Sequence, residues 1–90
     1  MIDVVFSPPL AAVTNCTSCT WDDAPTVRGL IDGLERRFPG MRSAVLEERG
    51  VLKPHLNVFV NKRSIKLLHG LDTRLNSGDA VFFAVAIAGG

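Results

Sequence analysis

The chain has almost no charge imbalance. Ten Lys and Arg against nine Asp and Glu leave a net charge of +1, so there is no basic stripe to neutralise phosphates, and nucleic acid is not expected as a main partner. No apolar run approaches the ~20 residues that span a bilayer. The opening Met1-Ile2-Asp3-Val4-Val5-Phe6 lacks a cationic start and a cleavage pattern, so no signal peptide is expected and the cytoplasm is the expected location. No Gly-rich phosphate loop of the Walker type occurs. The two histidines, His55 and His69, are not in ligand-type spacing, and no metal site is expected. Glu47 and Glu48 are adjacent; on a helix they would diverge by about 100°, which suits surface charges and not an acid/base pair. With no base and nucleophile that belong together, the chain is not expected to be an enzyme.

Cysteine is also scarce. Cys16 and Cys19 form a single C-x-x-C in the polar stretch Thr14-Asn15-Cys16-Thr17-Ser18-Cys19-Thr20. That stretch reads as a loop or hairpin tip with two solvent-facing thiols. Half of a zinc site or a redox pair is the alternative, and the short spacing allows a labile disulfide.

The remaining composition is that of one ordinary domain. Ninety residues, 47% of them hydrophobic, bury roughly 60–65% of the unfolded surface. Ile2 to Phe6 reads as a strand, broken by Ser7-Pro8-Pro9, and Thr20-Trp21-Asp22 as a short second strand. Val27, Leu30, Ile31, Leu34 and Phe38 recur at helical spacing after a candidate N-cap, Thr26, and Pro39-Gly40 stops the pattern. Asp32 and Arg36 stand four apart and are expected to pair. Ala44 to Leu46 suggests a short helix. Leu56 to Val60 is a strand, Asn61-Lys62 a tight turn, Ser64 to Leu68 a short strand, and Ala80 to Ala86 the last strand. One amphipathic helix covers one face of one sheet, so the expected class is α+β: a mixed sheet of four or five strands with one main helix on it. The first and last strands are dense in apolar residues and suit parallel central neighbours.

The end of the chain is distinctive. The apolar segment Ala80 to Ile87 runs into Ala88-Gly89-Gly90. Glycine lies extended in narrow channels and lets another backbone approach closely. A diglycine carboxylate therefore suits threading into a partner's active site. Alternation along the last strand puts Val81, Phe83 and Val85 toward the core, with Phe82 and Ala84 on the open sheet face. An outward Phe82 is a candidate docking anchor, with Ala84 and Phe59 beside it and Leu67 a weaker member. Lys62, Arg63 and Lys66 are candidate rim charges.

The order of elements, Val60-Asn61, the segment Leu75-Asn76-Ser77-Gly78-Asp79-Ala80-Val81 and the terminal Ala88-Gly89-Gly90 together resemble the ubiquitin-like sulfur carrier proteins. These include the small subunit of molybdopterin synthase, the thiazole-pathway carrier and the cysteine-biosynthesis carrier. The chain looks nearer to the cysteine-pathway and molybdopterin types than to the shorter thiazole type. The resemblance implies a β-grasp domain over residues 1–86 and a flexible tail over 87–90. It also implies a non-catalytic carrier. A ubiquitin-activating-type enzyme, using ATP and Mg, would adenylate the Gly90 carboxylate. A sulfurtransferase would convert it to a thiocarboxylate, and a biosynthetic enzyme would accept the sulfur. No cofactor would be bound by the chain itself. The alternative is a ubiquitin-like modifier conjugated through Gly90 to lysines of other proteins.

Overall fold

A computed structural model describes residues 1–85. The elements run β1 (Ile2–Phe6), α1 (Pro8–Thr14), β2 (Ser18–Trp21), α2 (Val27–Arg37), α3 (Met41–Val45), β3 (Leu56–Val60), β4 (Arg63–Ser64) and β5 (Ala80–Val85), with single 3-10 turns at Ile65–Leu67 and Gly70–Asp72. The five strands form one mixed sheet in the order β2-β1-β5-β3-β4. β1 and β5 are the parallel pair expected at the centre, with Val4 opposite Val81 and Phe6 opposite Phe83. The other pairings are antiparallel.

Alternation decides which face of each strand is covered. Ile2, Val4, Phe6, Leu56, Val58, Val60, Val81 and Phe83 are buried against the helices, as a half-buried sheet requires. α2 supplies Val27, Leu30, Ile31 and Leu34 to the same core. The Thr26 side chain accepts from the Gly29 N–H at 3.1 Å, which satisfies one of the helix's unpaired first-turn donors. Phe6 stacks on Phe83 at 5.8 Å and meets Phe38 edge-on at 6.2 Å. The aromatics thus join β1, β5 and the end of α2.

Several expectations are corrected. Ser7-Pro8-Pro9 ends β1 as expected but also opens a helix that was not expected: Pro8 and Pro9 begin α1. Proline is tolerated there because first-turn N–H groups have no helical partner, and Leu10 and Thr14 anchor the helix in the core. The second strand begins at Ser18, two residues earlier than expected, and so contains Cys19. The expected strand from Ser64 to Leu68 pairs only at Arg63 and Ser64. The Ser64 hydroxyl then accepts from the Lys66 N–H at 3.2 Å, and the chain turns so that Ile65 is buried. Asp32 pairs with Arg42, not Arg36, because the turn at Pro39-Gly40 folds α3 back beside α2. Both partners are half exposed, so the pair adds little stability. Trp21 lies across α2: a Cβ on Gly33 would sit 2.6 Å from its Cζ2. Glycine is needed there for space.

Candidate functional site

The site is built on the sheet face that the helices leave open. Phe82 points out from the central strand β5 and is 39% exposed. Its two neighbours in register are Val5 of β1 and Phe59 of β3. The Phe59 and Phe82 rings stack at 6.2 Å with 26° between their planes. Val5 is 43% exposed. An apolar row thus crosses three strands of the open face. Ala84 lies farther along β5, half buried, opposite Asn57. Phe82 and Ala84 therefore lie on the face that strand alternation assigned to them, and Phe59 shares it. Phe82 also packs on Phe59, so part of the ring serves the fold.

A shallow cavity of about 320 Å³ opens beside this row, lined by Val5, Phe59, Phe82, Ala80 and Val81 together with Asn61 and Lys62. Leu67 is 80% exposed but does not line it. Of the three candidate rim cations only Lys62 does so; Arg63 and Lys66 stand elsewhere on the surface. Val5 was missed in the sequence. The alternation of buried Ile2, Val4 and Phe6 was its only signal.

The Asn61-Lys62 turn has both residues in the left-handed region, φ 50° and 72°. Asn61 is pinned to the start of β5. Its N–H donates to the Ala80 carbonyl at 2.8 Å, its Oδ1 accepts from the Ala80 N–H at 2.9 Å, and its Nδ2 donates to Asp79 Oδ1 at 2.9 Å. Asp79 Oδ2 in turn accepts from the Asn76 N–H at 2.8 Å. The Val60-Asn61 and Gly78-Asp79 segments are one hydrogen-bonded unit that fixes the turn carrying Lys62 beside the cavity.

The other end of β5 is fixed by Ser7. The Ser7 N–H donates to the Phe83 carbonyl at 3.0 Å, and its hydroxyl accepts from the Val85 N–H at 3.2 Å. Ala86, Ala88, Gly89 and Gly90, with the expected tail, lie outside the described residues.

The thiols are not where a solvent-facing loop would put them. Cys19 stands opposite the fully buried Val4, and both cysteines pack against the core at intermediate exposure. Burial pushes the Cys19 thiol up from its ordinary value of 9.0, the neighbouring Cys16 adds to this, and Arg37 opposes it. Among the described residues no group of three or more His, Cys, Asp and Glu side chains stands ready to hold a metal ion. Nor is any helix among them long and apolar enough to cross a membrane.

Comparison with known proteins agrees with this geometry. The ThiS family matches residues 10–90. Small archaeal modifier protein 3 of Haloferax volcanii is 34% identical, over 99% of this chain and 98% of that protein. Sulfur carrier protein CysO of Mycobacterium tuberculosis is 30% identical over 67 residues, 72% of each chain. Among solved structures, a chain of the BexX/CysO complex of Amycolatopsis orientalis superposes over the full length of both chains with a TM-score of 0.90 and 27% identity. Urm1 of Trypanosoma brucei superposes with a TM-score of 0.78 and 28% identity, over 99% of this chain and 94% of that one. The open sheet, the register of β1 with β5 and these likenesses lead to one conclusion: the chain belongs to the ThiS family of ubiquitin-like β-grasp proteins, sulfur carriers and protein modifiers that are not themselves catalysts.

Proposed function

We propose that the Gly90 carboxylate is the reacting group of a sulfur carrier, with Ala88, Gly89 and Gly90 as the tail that enters a partner's active site. The observation that carries this reading is the family match running through Gly90 itself. A free carboxylate is a poor acyl donor because its leaving group would be oxide. Adenylation by a ubiquitin-activating-type enzyme, with ATP and Mg as that enzyme's reactants, replaces oxide with AMP. A sulfurtransferase persulfide then displaces AMP to give an acyl disulfide. A thiol attacks the sulfurtransferase-side sulfur, the sulfur–sulfur bond breaks, the thiol and the sulfurtransferase cysteine end as a disulfide, and the C-terminal thiocarboxylate leaves. This thiocarboxylate donates sulfur to a biosynthetic enzyme in the cytoplasm. The likeness to a protein named CysO favours a cysteine-type acceptor.

The domain and the tail have separate tasks on this reading. The Val5-Phe82-Phe59 row, with Ala84 farther along the strand, docks on the activating enzyme, and residues 87–90 reach the nucleotide. Apolar side chains suit the first task because excluding water from a row of aromatics is favourable. Glycines suit the second because a Cβ would collide in a narrow channel. A second reading, conjugation through Gly90 to lysines, is favoured by the likeness to a protein named a modifier.

The test is intact mass after incubation with ATP, Mg²⁺, an activating-type enzyme from the same cell and a sulfide or persulfide donor. The expected change is one oxygen exchanged for sulfur at Gly90, lost when Gly89 and Gly90 are deleted. No change with an enzyme competent on another carrier overturns the carrier reading. Lysine-linked conjugates in cells, formed without thiocarboxylate, establish the second.

A further inference from the structure

We propose that Cys16 and Cys19 are a redox modification site: a dithiol that closes to an intramolecular disulfide at the sheet end where β5 reaches Val85. Both thiols are free in this structure, and both lie on the helix side of the sheet against the same buried cluster. Cys19 owes this to its register with Val4. Cys16 owes it to the turn before it. Asn15 ends α1 in the left-handed conformation, φ 58°, and the Thr14 hydroxyl donates to the Cys16 carbonyl at 2.8 Å. The chain is thereby reversed so that Cys16 faces the core while the intervening Thr17 and Ser18 stay exposed. The bend at Cys16-Thr17 precedes the first residue of β2, so a bridge can close by adjustment there without disturbing the Cys19–Val4 pair. Partly accessible pairs of this kind are the reversible ones, in contrast to fully buried structural bridges.

The chemistry needs a low-molecular-weight disulfide as oxidant. One cysteine thiolate attacks a sulfur of that disulfide and expels a thiolate, leaving a mixed disulfide. The second cysteine attacks the protein-bound sulfur and expels the other thiolate. Two protein thiols are oxidised, one external disulfide is reduced to two thiols, and the two protons lost by the protein end on them.

The site is tied to the end of β5. The Thr17 carbonyl accepts from the Phe6 N–H at 2.9 Å, and the next residue, Ser7, bonds Phe83 and Val85. A bridge that stiffens residues 16–19 therefore bears on the last described residues of β5 through two short links.

The test uses the full-length folded protein, equilibrated in mixtures of oxidised and reduced glutathione, quenched with N-ethylmaleimide and weighed intact. Wild type is expected to give a monomer about 2 Da lighter than the reduced protein that takes up no maleimide, with peptide mapping joining Cys16 to Cys19. Cys16→Ser and Cys19→Ser should each stop at a glutathione adduct, about 305 Da heavier. If a serine variant does not fold by circular dichroism, the wild-type map decides alone. Stable adducts on both wild-type cysteines, crosslinked dimers, or closure only in denaturant would each overturn the proposal. Amide exchange supplies the second readout: Val85 should exchange at least about threefold more slowly in the oxidised protein, with Val58 unchanged. Equal rates at Val85 overturn the link to β5.

Discussion

Phe82→Ala tests whether the open sheet face docks on the activating enzyme. The exposed 39% of Phe82 is about 80 Å² of a side chain that offers roughly 200 Å². At ~25 cal/mol/Å², covering it contributes about 2 kcal/mol, or about 30-fold in affinity. The fold also loses something, because the ring stacks on Phe59 at 6.2 Å. A cross-strand aromatic pair and partial burial put that loss at about 1–2 kcal/mol. A domain stable by about 5 kcal/mol or more remains almost wholly folded after it. The assay is the dissociation constant of carrier and activating enzyme by calorimetry, with thermal unfolding of each variant alongside. Leu67→Ala is the control: Leu67 is 80% exposed and apolar but stands off the cavity. The expected pattern is a loss of about 30-fold for Phe82→Ala and less than about twofold for Leu67→Ala. If Phe82→Ala binds within twofold of wild type, or Leu67→Ala weakens binding equally, the docking face has been misassigned.

The other predictions concern Gly33, Lys62 and Cys19. Gly33→Ala should destabilise by about 1–2 kcal/mol although alanine is the better helix former, because the new Cβ meets the indole of Trp21 at 2.6 Å. In a Trp21→Ala background the same change should become neutral or stabilising, and a urea double-mutant cycle with no coupling would remove the steric explanation. Lys62→Gly should raise the melting temperature by about 4 °C, because residue 62 has φ 72°, where glycine is unstrained and lysine is not. The same variant should bind the activating enzyme more weakly at low salt; a gain in stability with unchanged affinity would show that Lys62 has no docking role. The Cys19 thiol is pushed up by burial, so the folded protein holds that proton more tightly than the unfolded chain. Its contribution to stability is complete below 9.0 and is lost as pH rises through 9.0 toward the higher folded value. Urea midpoints above pH 9.0 should therefore fall more steeply for wild type than for Cys19→Ser, and identical slopes would count against burial as the cause.

Local periodicity and alternation carried much of the fold. The helical spacing of Val27, Leu30, Ile31 and Leu34 and the cap at Thr26 need only neighbours a few residues away, and α2 lies where they point. The alternation of Val81, Phe82 and Phe83 likewise places Phe82 on the open sheet face, where the structure has it. α1 was hidden because Pro8-Pro9 is ambiguous in isolation: proline ends an element or opens a helix according to what lies beside it. Here Leu10 and Thr14 find the core, which settles the matter.

What the chain sequence could settle was most of the elements, the polarity of their faces and the chemistry of Ala88-Gly89-Gly90 that led to the family. Which residues meet was settled only by the tertiary structure. The parallel register that sets Val5 against Phe82, the choice of Arg42 over Arg36 by Asp32, the glycine under Trp21, the Asn61–Asp79 bond and the inward turn of Cys16 and Cys19 all join positions brought together by folding. Periodicity reports which way a side chain faces. Its partner depends on which strands become neighbours and in what register, and that depends on burial across the whole domain.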